Sequence, residues 1–304
     1  MSELFHDLPN RVSVYEVSPR DGLQNESGHV PTQAKIEFIT RLAEAGLPII
    51  EATSFVHPSW VPQLADAADV VAAVGGTYPV LVPNDRGLDR AIEMGCRHIA
   101  IFGSATETFA QRNLNRSLEG QFEMFGPVVA RALAAGIDVR AYVSMCWGDP
   151  WEGSVPVEQV VDVGRRLLDL GASQLSLGDT IGVGTTAAVT GLLDAFNAAG
   201  VPDDRLAVHF HDTYGQALAN AYAAWVHGVR TFDASAGGLG GCPYAESATG
   251  NLATEDLVWM FQGMGVETGV DLGVLIETSV WMAEILGRPS PSRVVAALAP
   301  KQSR

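Results

Sequence analysis

Lysine is almost missing from this chain of 304 residues: only Lys35 and Lys301 occur among nineteen basic side chains. An aldolase that works through a Schiff base needs a buried lysine at the end of a strand. Neither lysine follows a strand-like run, so that chemistry is excluded. Cysteine is scarce too. Cys96, Cys146 and Cys242 are an odd number without framework spacing, which fits free thiols in a reducing compartment. No apolar run approaches the length of a membrane span. Positive charge is in deficit: a formal charge of −16 speaks against general affinity for nucleic acid or anionic lipid. An anionic substrate therefore needs a local positive site, from an arginine or a metal ion. No signal-like segment precedes the first strand-like run. The expected location is cytoplasmic, with neither a membrane nor a nucleic acid as partner.

What the chain has is regularity. Short β-branched apolar runs recur at 12–17, 48–52, 79–82, 98–102, 139–144, 174–177, 206–210 and 231–234. Amphipathic stretches such as 32–45 and 157–170 lie between them, and Gly46, Gly95, Gly136, Gly171, Gly200 and Gly228 are placed to end helices. Eight β-α units without a break in composition predict an α/β fold, a (β/α)8 TIM barrel with extra C-terminal helices. The chain is expected to form one domain over 1–304, with the barrel at about 12–264 and the trailing helices at about 270–300. The apolar faces of those helices can cover the barrel's side or a partner subunit in a homo-oligomer.

In such a barrel catalytic groups come from the carboxyl ends of several strands, and the polar residues fall there. Arg20-Asp21-Gly22 follows strand one, Glu51 ends strand two, and Asn84 follows strand three. Ser144 ends strand five, Asp179-Thr180 follows strand six, and His209 and His211 lie on strand seven. Alternate strand residues share a face, so the two imidazoles point together and make half of a divalent-metal site. Asp21, across the mouth, can complete it, and manganese, magnesium or zinc all suit these ligand types. Glu51 can pair with Arg20. Asp179 can order its loop or orient a histidine. Asn251 reads as a helix N-cap before 252–263, as a metal ligand through its amide oxygen, or as both. The loop Gly237-Gly-Leu-Gly-Gly-Cys-Pro243 after strand eight can be a phosphate cradle, a plain turn, or a mobile lid carrying Cys242, and the thiol favours the lid. Cys96 and Cys146 read as packing residues.

Six segments carry a resemblance: Glu16-Val-Ser-Pro-Arg-Asp-Gly-Leu-Gln-Asn-Glu26, Ile50-Glu-Ala-Thr-Ser-Phe-Val56, Ser176-Leu-Gly-Asp-Thr-Ile-Gly-Val-Gly184, Val208-His-Phe-His-Asp-Thr-Tyr-Gly-Gln-Ala-Leu-Ala-Asn220, Gly237-Gly-Leu-Gly-Gly-Cys-Pro-Tyr-Ala245 and Asn251-Leu-Ala-Thr-Glu-Asp256. They resemble the 3-hydroxy-3-methylglutaryl-CoA lyase family, one of the metal-dependent lyase and Claisen-synthase barrels that share Arg-Asp-Gly. The resemblance covers nearly the whole chain, and its glycine-rich cysteine loop belongs to the lyase branch. It implies cleavage of an acyl-CoA thioester, 3-hydroxy-3-methylglutaryl-CoA, to acetyl-CoA and acetoacetate, a step of leucine degradation and ketone-body chemistry. It also implies a divalent cation, Mg2+ or Mn2+, on Asp21, His209, His211 and Asn251. Arg20 would then stabilise the enolate oxygen, and Cys242 would take part in proton transfer, with His209 or Asp179 as alternative relays and Glu51 in support. The CoA-contacting segment is poorly matched: 286–290 offers only Arg288, and no CoA residue is assigned. Two related activities stay beside this reading, a lyase for a longer 3-alkyl substrate such as the isohexenyl compound and an acyl-CoA-condensing synthase of the isopropylmalate type. The missing regulatory domain and the cysteine loop tell against the synthase.

Overall fold

A computed structural model describes residues 8–241 and 250–299. Eight strand positions, each followed by a helix, close into a barrel. Strand one is β1 (Ser13–Glu16), and strand two is split into β2 (Ile49–Ile50) and β3 (Thr53–Ser54). Then come β4 (Val80–Leu81), β5 (His98–Ser104) and β6 (Asp138–Ser144). A small antiparallel hairpin, β7 (Gly148–Asp149) with β8 (Gly153–Ser154), follows strand five. Strands six, seven and eight are β9 (Gln174–Asp179), β10 (Leu206–Phe210) and β11 (Thr231–Ala234). All barrel pairings are parallel, in the order β2-β1-β11-β10-β9-β6-β5-β4-β3. Strand two supplies the closure. Its first half pairs with β1, its second half pairs with β4, and the Glu51 and Ala52 amides donate to Glu16 and Pro79 on opposite sides. That switch of partner is the stagger a closed, tilted barrel requires.

The helices around the barrel are α1 (Thr32–Glu44), α2 (Ala67–Val74), α3 (Asp85–Glu93), α4 (Glu107–Leu114), α5 (Gly120–Ala134), α6 (Val157–Leu170), α7 (Thr186–Ala198), α8 (Ala217–His227) and α9 (Thr254–Gly263). Phe38, Phe125, Phe196, Trp225 and Phe261 fill the layer between sheet and helices and are fully buried. The trailing α10 (Leu272–Leu286) lays its apolar face along α1, where Trp281 meets Phe38 at 6.4 Å between ring centroids. It covers the side of the barrel, the first of its two expected roles. The last helix, α11 (Arg293–Leu298), packs on α9 and α10. No helix among the described residues is long and apolar enough to cross a membrane. Lys35 sits on α1, far in sequence from any strand end, held by the Asp66 carboxylate at 2.8 Å.

The inside of the barrel is polar where aliphatic layers are the rule. Arg140 on strand five reaches across to Asp233 on strand eight with two hydrogen bonds of 3.1 and 2.6 Å. Its guanidinium lies between the Tyr15 and Tyr142 rings, 3.9 and 4.9 Å from their centroids. Burial works against this charge, but Asp233 and the two phenols keep Arg140 protonated far above the usual range. The network sits directly beneath the polar mouth.

Candidate active site and metal centre

Strand one ends in a single π-type turn, Ser18–Gly22, in which the Val17 carbonyl accepts from the amides of Arg20, Asp21 and Gly22 at 3.2, 2.8 and 3.2 Å. Pro19 has no amide to compete for that acceptor, and the buried Glu16 carboxylate holds the Ser18 amide at 2.9 Å. Gly22 is required by close approach: a Cβ there would stand 2.9 Å from both Leu239 Cβ and Ser235 Oγ. The turn presents Arg20 and Asp21 side by side at the mouth.

Arg20 is buried. Its Nε bonds the Glu51 carboxylate and its Nη1 bonds Asp21 Oδ1 at 2.6 Å. Its guanidinium carbon stands 5.4 Å from the centroid of the Tyr142 ring. Glu51 also accepts from the phenols of Tyr142 at 2.8 Å and Tyr15 at 3.1 Å. Desolvation opposes the charge on Arg20, yet Glu51 and Asp21 hold it protonated well above the ordinary arginine value. Among the described residues, Nη2 of Arg20 makes no hydrogen bond, and it is the donor left for a ligand.

Asp21, His209 and His211 each offer one ligand atom within 4.8 Å of the others. The two imidazole centroids are 5.3 Å apart, as alternate positions of one strand face dictate. Burial raises the pKa of Asp21, but Arg20 and the two imidazoles more than reverse this and bring it to about 2. Burial and the neighbouring His209 push His211 down to about 4, so it presents a neutral ring at neutral pH. Asn251 completes the group. Residue 251 bridges the backbone of His211, with Leu252 donating to Phe210 and Asp212 to Gly250. Its Nδ2 donates to Asp21 Oδ2 at 2.8 Å and to the Leu239 carbonyl at 3.0 Å. Two acceptors on Nδ2 fix the amide orientation and leave Oδ1 buried and, like His211 Nδ1, without a partner among the described residues. Orphaned buried acceptors beside an ionised carboxylate are what a hard or borderline cation needs, so the residues fit a divalent metal.

The N-cap reading of Asn251 is overturned. The helix starts at Thr254 rather than 252, behind Ala253, and takes no side-chain cap. Asn251 is spent on the bridge to His211 instead. Asp179 is not one of the three residues with ligand atoms within 4.8 Å of one another: its oxygens accept the amides of Val183 at 3.0 Å and Gly184 at 2.9 Å, which orders the loop after strand six. Burial pushes its carboxyl up to about 6 against those bonds. Arg288 is paired with Glu26 and is not a free cation for a phosphate. Cys242 lies outside the described residues. The sequence reading missed Tyr142, Arg140 and Asp233. Their signal was available, since Arg140 and Tyr142 stand two apart on strand five and Asp233 is a lone acid in an apolar strand.

Arg20, Asp21, His209 and His211 line a cavity of about 350 Å3. Its walls are apolar at Val56, Trp60, Leu81, Phe102 and Phe109, and Gly241 stands at the rim.

The family model described as HMGL-like matches residues 11–281. The chain is 50% identical over 294 residues to the mitochondrial hydroxymethylglutaryl-CoA lyase of Rattus norvegicus, covering 95% of this chain and 90% of that protein. The crystal structure of hydroxymethylglutaryl-CoA lyase from Pseudomonas aeruginosa superposes with a TM-score of 0.93 at 46% identity, covering 97% of this chain and 99% of that one. An HMG-CoA lyase from Acinetobacter baumannii, solved with coenzyme A and 3-methylmalate, has a TM-score of 0.90 at 34% identity, with 97% of each chain covered. With matches that run nearly end to end and a barrel of the same architecture, this chain belongs to the HMGL-like family.

Proposed function

We propose that the protein is a metal-dependent carbon–carbon lyase that cleaves 3-hydroxy-3-methylglutaryl-CoA to acetyl-CoA and acetoacetate. One observation carries this reading: an arginine whose Nη2 has no partner among the described residues lines one cavity with a carboxylate and two imidazoles, and Asn251, bonded to that carboxylate, has an amide oxygen with no partner among the described residues. Asp21, His209, His211 and Asn251 would hold the cation, for which we propose Mg2+ or Mn2+. Bound there, it would act as a Lewis acid on the substrate's carboxylate and tertiary hydroxyl oxygens.

In the reaction the C2–C3 bond breaks and the tertiary hydroxyl loses its proton to become the ketone of acetoacetate. The bonding pair passes to C2, giving the thioester enolate of acetyl-CoA, which is then protonated. The developing enolate oxygen needs a fixed donor, and Nη2 of Arg20 is that donor, held by Glu51 and Asp21 at its other two nitrogens. We assign proton transfer to Cys242, which is covalently next to the cavity residue Gly241. We give Asp179 the loop-ordering role and Glu51 the support of Arg20. The cavity suits the acyl end of the thioester, with the nucleotide outside it. We place the enzyme in the cytoplasm on its free, buried thiols Cys96 and Cys146.

The test is acetoacetate release from 3-hydroxy-3-methylglutaryl-CoA under reducing conditions, with Mg2+ or Mn2+ and with chelator. Metal-dependent release supports the reading. No release from folded, metal-loaded protein overturns it.

A further inference from the structure

Strand seven and strand eight pair in parallel, and in that register His209 stands beside Asp233. Its register partner on the other side, in strand six, is Gly178, which has no side chain. Asp233 is therefore the neighbouring strand side chain that His209 meets. Oδ2 of Asp233 faces Nδ1 of His209 at 3.4 Å, and that buried nitrogen has no hydrogen-bond partner among the described residues, so Asp233 is the acceptor nearest to hand. The rest of the carboxylate is fully engaged. Oδ1 accepts from Arg140 Nη2 at 2.6 Å, and Oδ2 accepts from Arg140 Nη1 at 3.1 Å and from Ser176 Oγ at 2.7 Å. Arg140 cannot move away, because it is packed against Tyr15 and Tyr142.

We propose that Asp233 is a positioning residue: its carboxylate keeps the His209 ring proton on Nδ1 and so aims the Nε2 lone pair at Asp21 and His211. A carboxylate paired with a guanidinium has no proton to give, so the nitrogen that faces it must be the donor. The two ring nitrogens then have separate tasks, Nδ1 for orientation and Nε2 for ligation. An asparagine at 233 keeps the shape, loses the charge, and can present an N–H to Nδ1. That would favour the opposite tautomer, with Nε2 protonated and unable to bind a cation. The ligation half of this inference rests on the metal reading of the site; the tautomer half does not.

The experiment uses full-length protein labelled with 15N-histidine, metal-free at pH 8, with His209→Gln only to identify the resonances. Two-bond nitrogen–proton spectra report which ring nitrogen carries the proton. The Nδ1–H tautomer is expected in the wild type, and Asp233→Asn is expected to shift it toward Nε2–H and to weaken Mn2+ binding by about 10- to 100-fold. A merely structural role for Asp233 would lower Tm without moving the tautomer. An Nε2–H tautomer in the wild type overturns the proposal, and so does a folded Asp233→Asn protein with wild-type Mn2+ affinity. If Asp233→Asn does not fold, the wild-type spectrum decides. Neither readout uses the thioester, so failure here is distinguishable from failure of the lyase assignment.

Discussion

Arg20 and Glu51 form a buried ion pair across two strands, with Glu51 saturated by the phenols of Tyr15 and Tyr142 on its other side. Removing one partner of a buried pair strands the other charge, a cost of about 3–5 kcal/mol. The pair thus aims the guanidinium as well as neutralising it. Arg20→Gln should lower turnover by at least ~10²-fold, the typical loss of one transition-state donor, while Mn2+ titration of the variant stays at wild-type affinity. Near-normal turnover would remove Arg20 from the enolate role.

Glu51→Gln tests the aim separately. The new amide can still accept from a phenol, but its NH2 group faces the Arg20 Nε–H with a donor against a donor. Turnover should fall with little change in KM, since Arg20 keeps its bond to Asp21 but loses its fixed direction. Steady-state kinetics separates this from a KM effect, and a variant impaired only in KM would contradict the positioning argument.

Asp21→Ala and His209→Ala each remove one atom from the group that spans 4.8 Å. Metal affinity should fall more than ~100-fold, beyond what loss of an outer partner costs (~10- to 100-fold), and metal content after purification should fall with it. Metal binding to the folded state alone also raises stability. Wild-type Tm should therefore drop on adding chelator, and the Tm of Asp21→Ala should not respond. Unchanged metal content in both variants would sink the ligand set.

How far the sequence carried these conclusions depends on the range over which each residue finds its partner. Elements set by local periodicity were legible: the stretch 157–170 is α6 and 272–286 is α10, and all six stop glycines have positive φ. His209 and His211 were legible as a pair because two-residue alternation is itself local. The N-cap reading of Asn251 failed because a Gly-Asn before a helical run is good cap sequence, whereas its place is decided by a bridge to His211, forty residues earlier. Arg140 and Asp233 went unread because their meaning lies in each other, at a separation of 93 residues and across the barrel's interior. The segment after strand four divides into α4 and α5, and α4 ends at Asn115, whose φ of 53° is left-handed.

Gly250 joins the loop after strand eight to Asn251. A Cβ at that position would lie 2.0 Å from the Gly240 carbonyl oxygen and 2.6 Å from that of Gly238, both backbone atoms that cannot swing aside. Gly250→Ala should push residues 238–241 away, break the Asn251 bond to the Leu239 carbonyl, and so reduce metal affinity as well as Tm. A substitution that lowers Tm but leaves Mn2+ affinity intact would show that Asn251 is placed by the bridge to His211 alone.

The same loop rests on two buried carboxylates, and these set a pH dependence. Glu255 accepts the Gly237 amide at 2.9 and 3.0 Å and a bond from Ser279, and Glu16 accepts the Ala236 amide at 2.9 Å. Burial, with the nearby Glu16 carboxylate adding to it against the hydrogen bonds, pushes Glu255 up to about 7 from an ordinary value of 4.5. A carboxyl whose pKa is higher folded than unfolded binds its proton more tightly in the native state. Its contribution to stability is therefore complete below pH 4.5 and is lost as pH rises through about 7. Asp179, raised to about 6, acts in the same sense; His211, lowered to about 4 from 6.5, acts in the opposite sense up to about pH 6.5, and Asp21, lowered to about 2, does so only at much lower pH. Between pH 5 and 8 Glu255 alone withdraws on the order of 3 kcal/mol of stability at most, and Tm should fall with pH above about 6.5, where His211 no longer offsets it. Glu255→Gln keeps an acceptor for Gly237 and a donor for Ser279 but has no charge to bury, so its Tm profile over that range should be markedly shallower. Thermal melts at half-unit steps of pH check this, and equal slopes for the two proteins would place the dependence elsewhere.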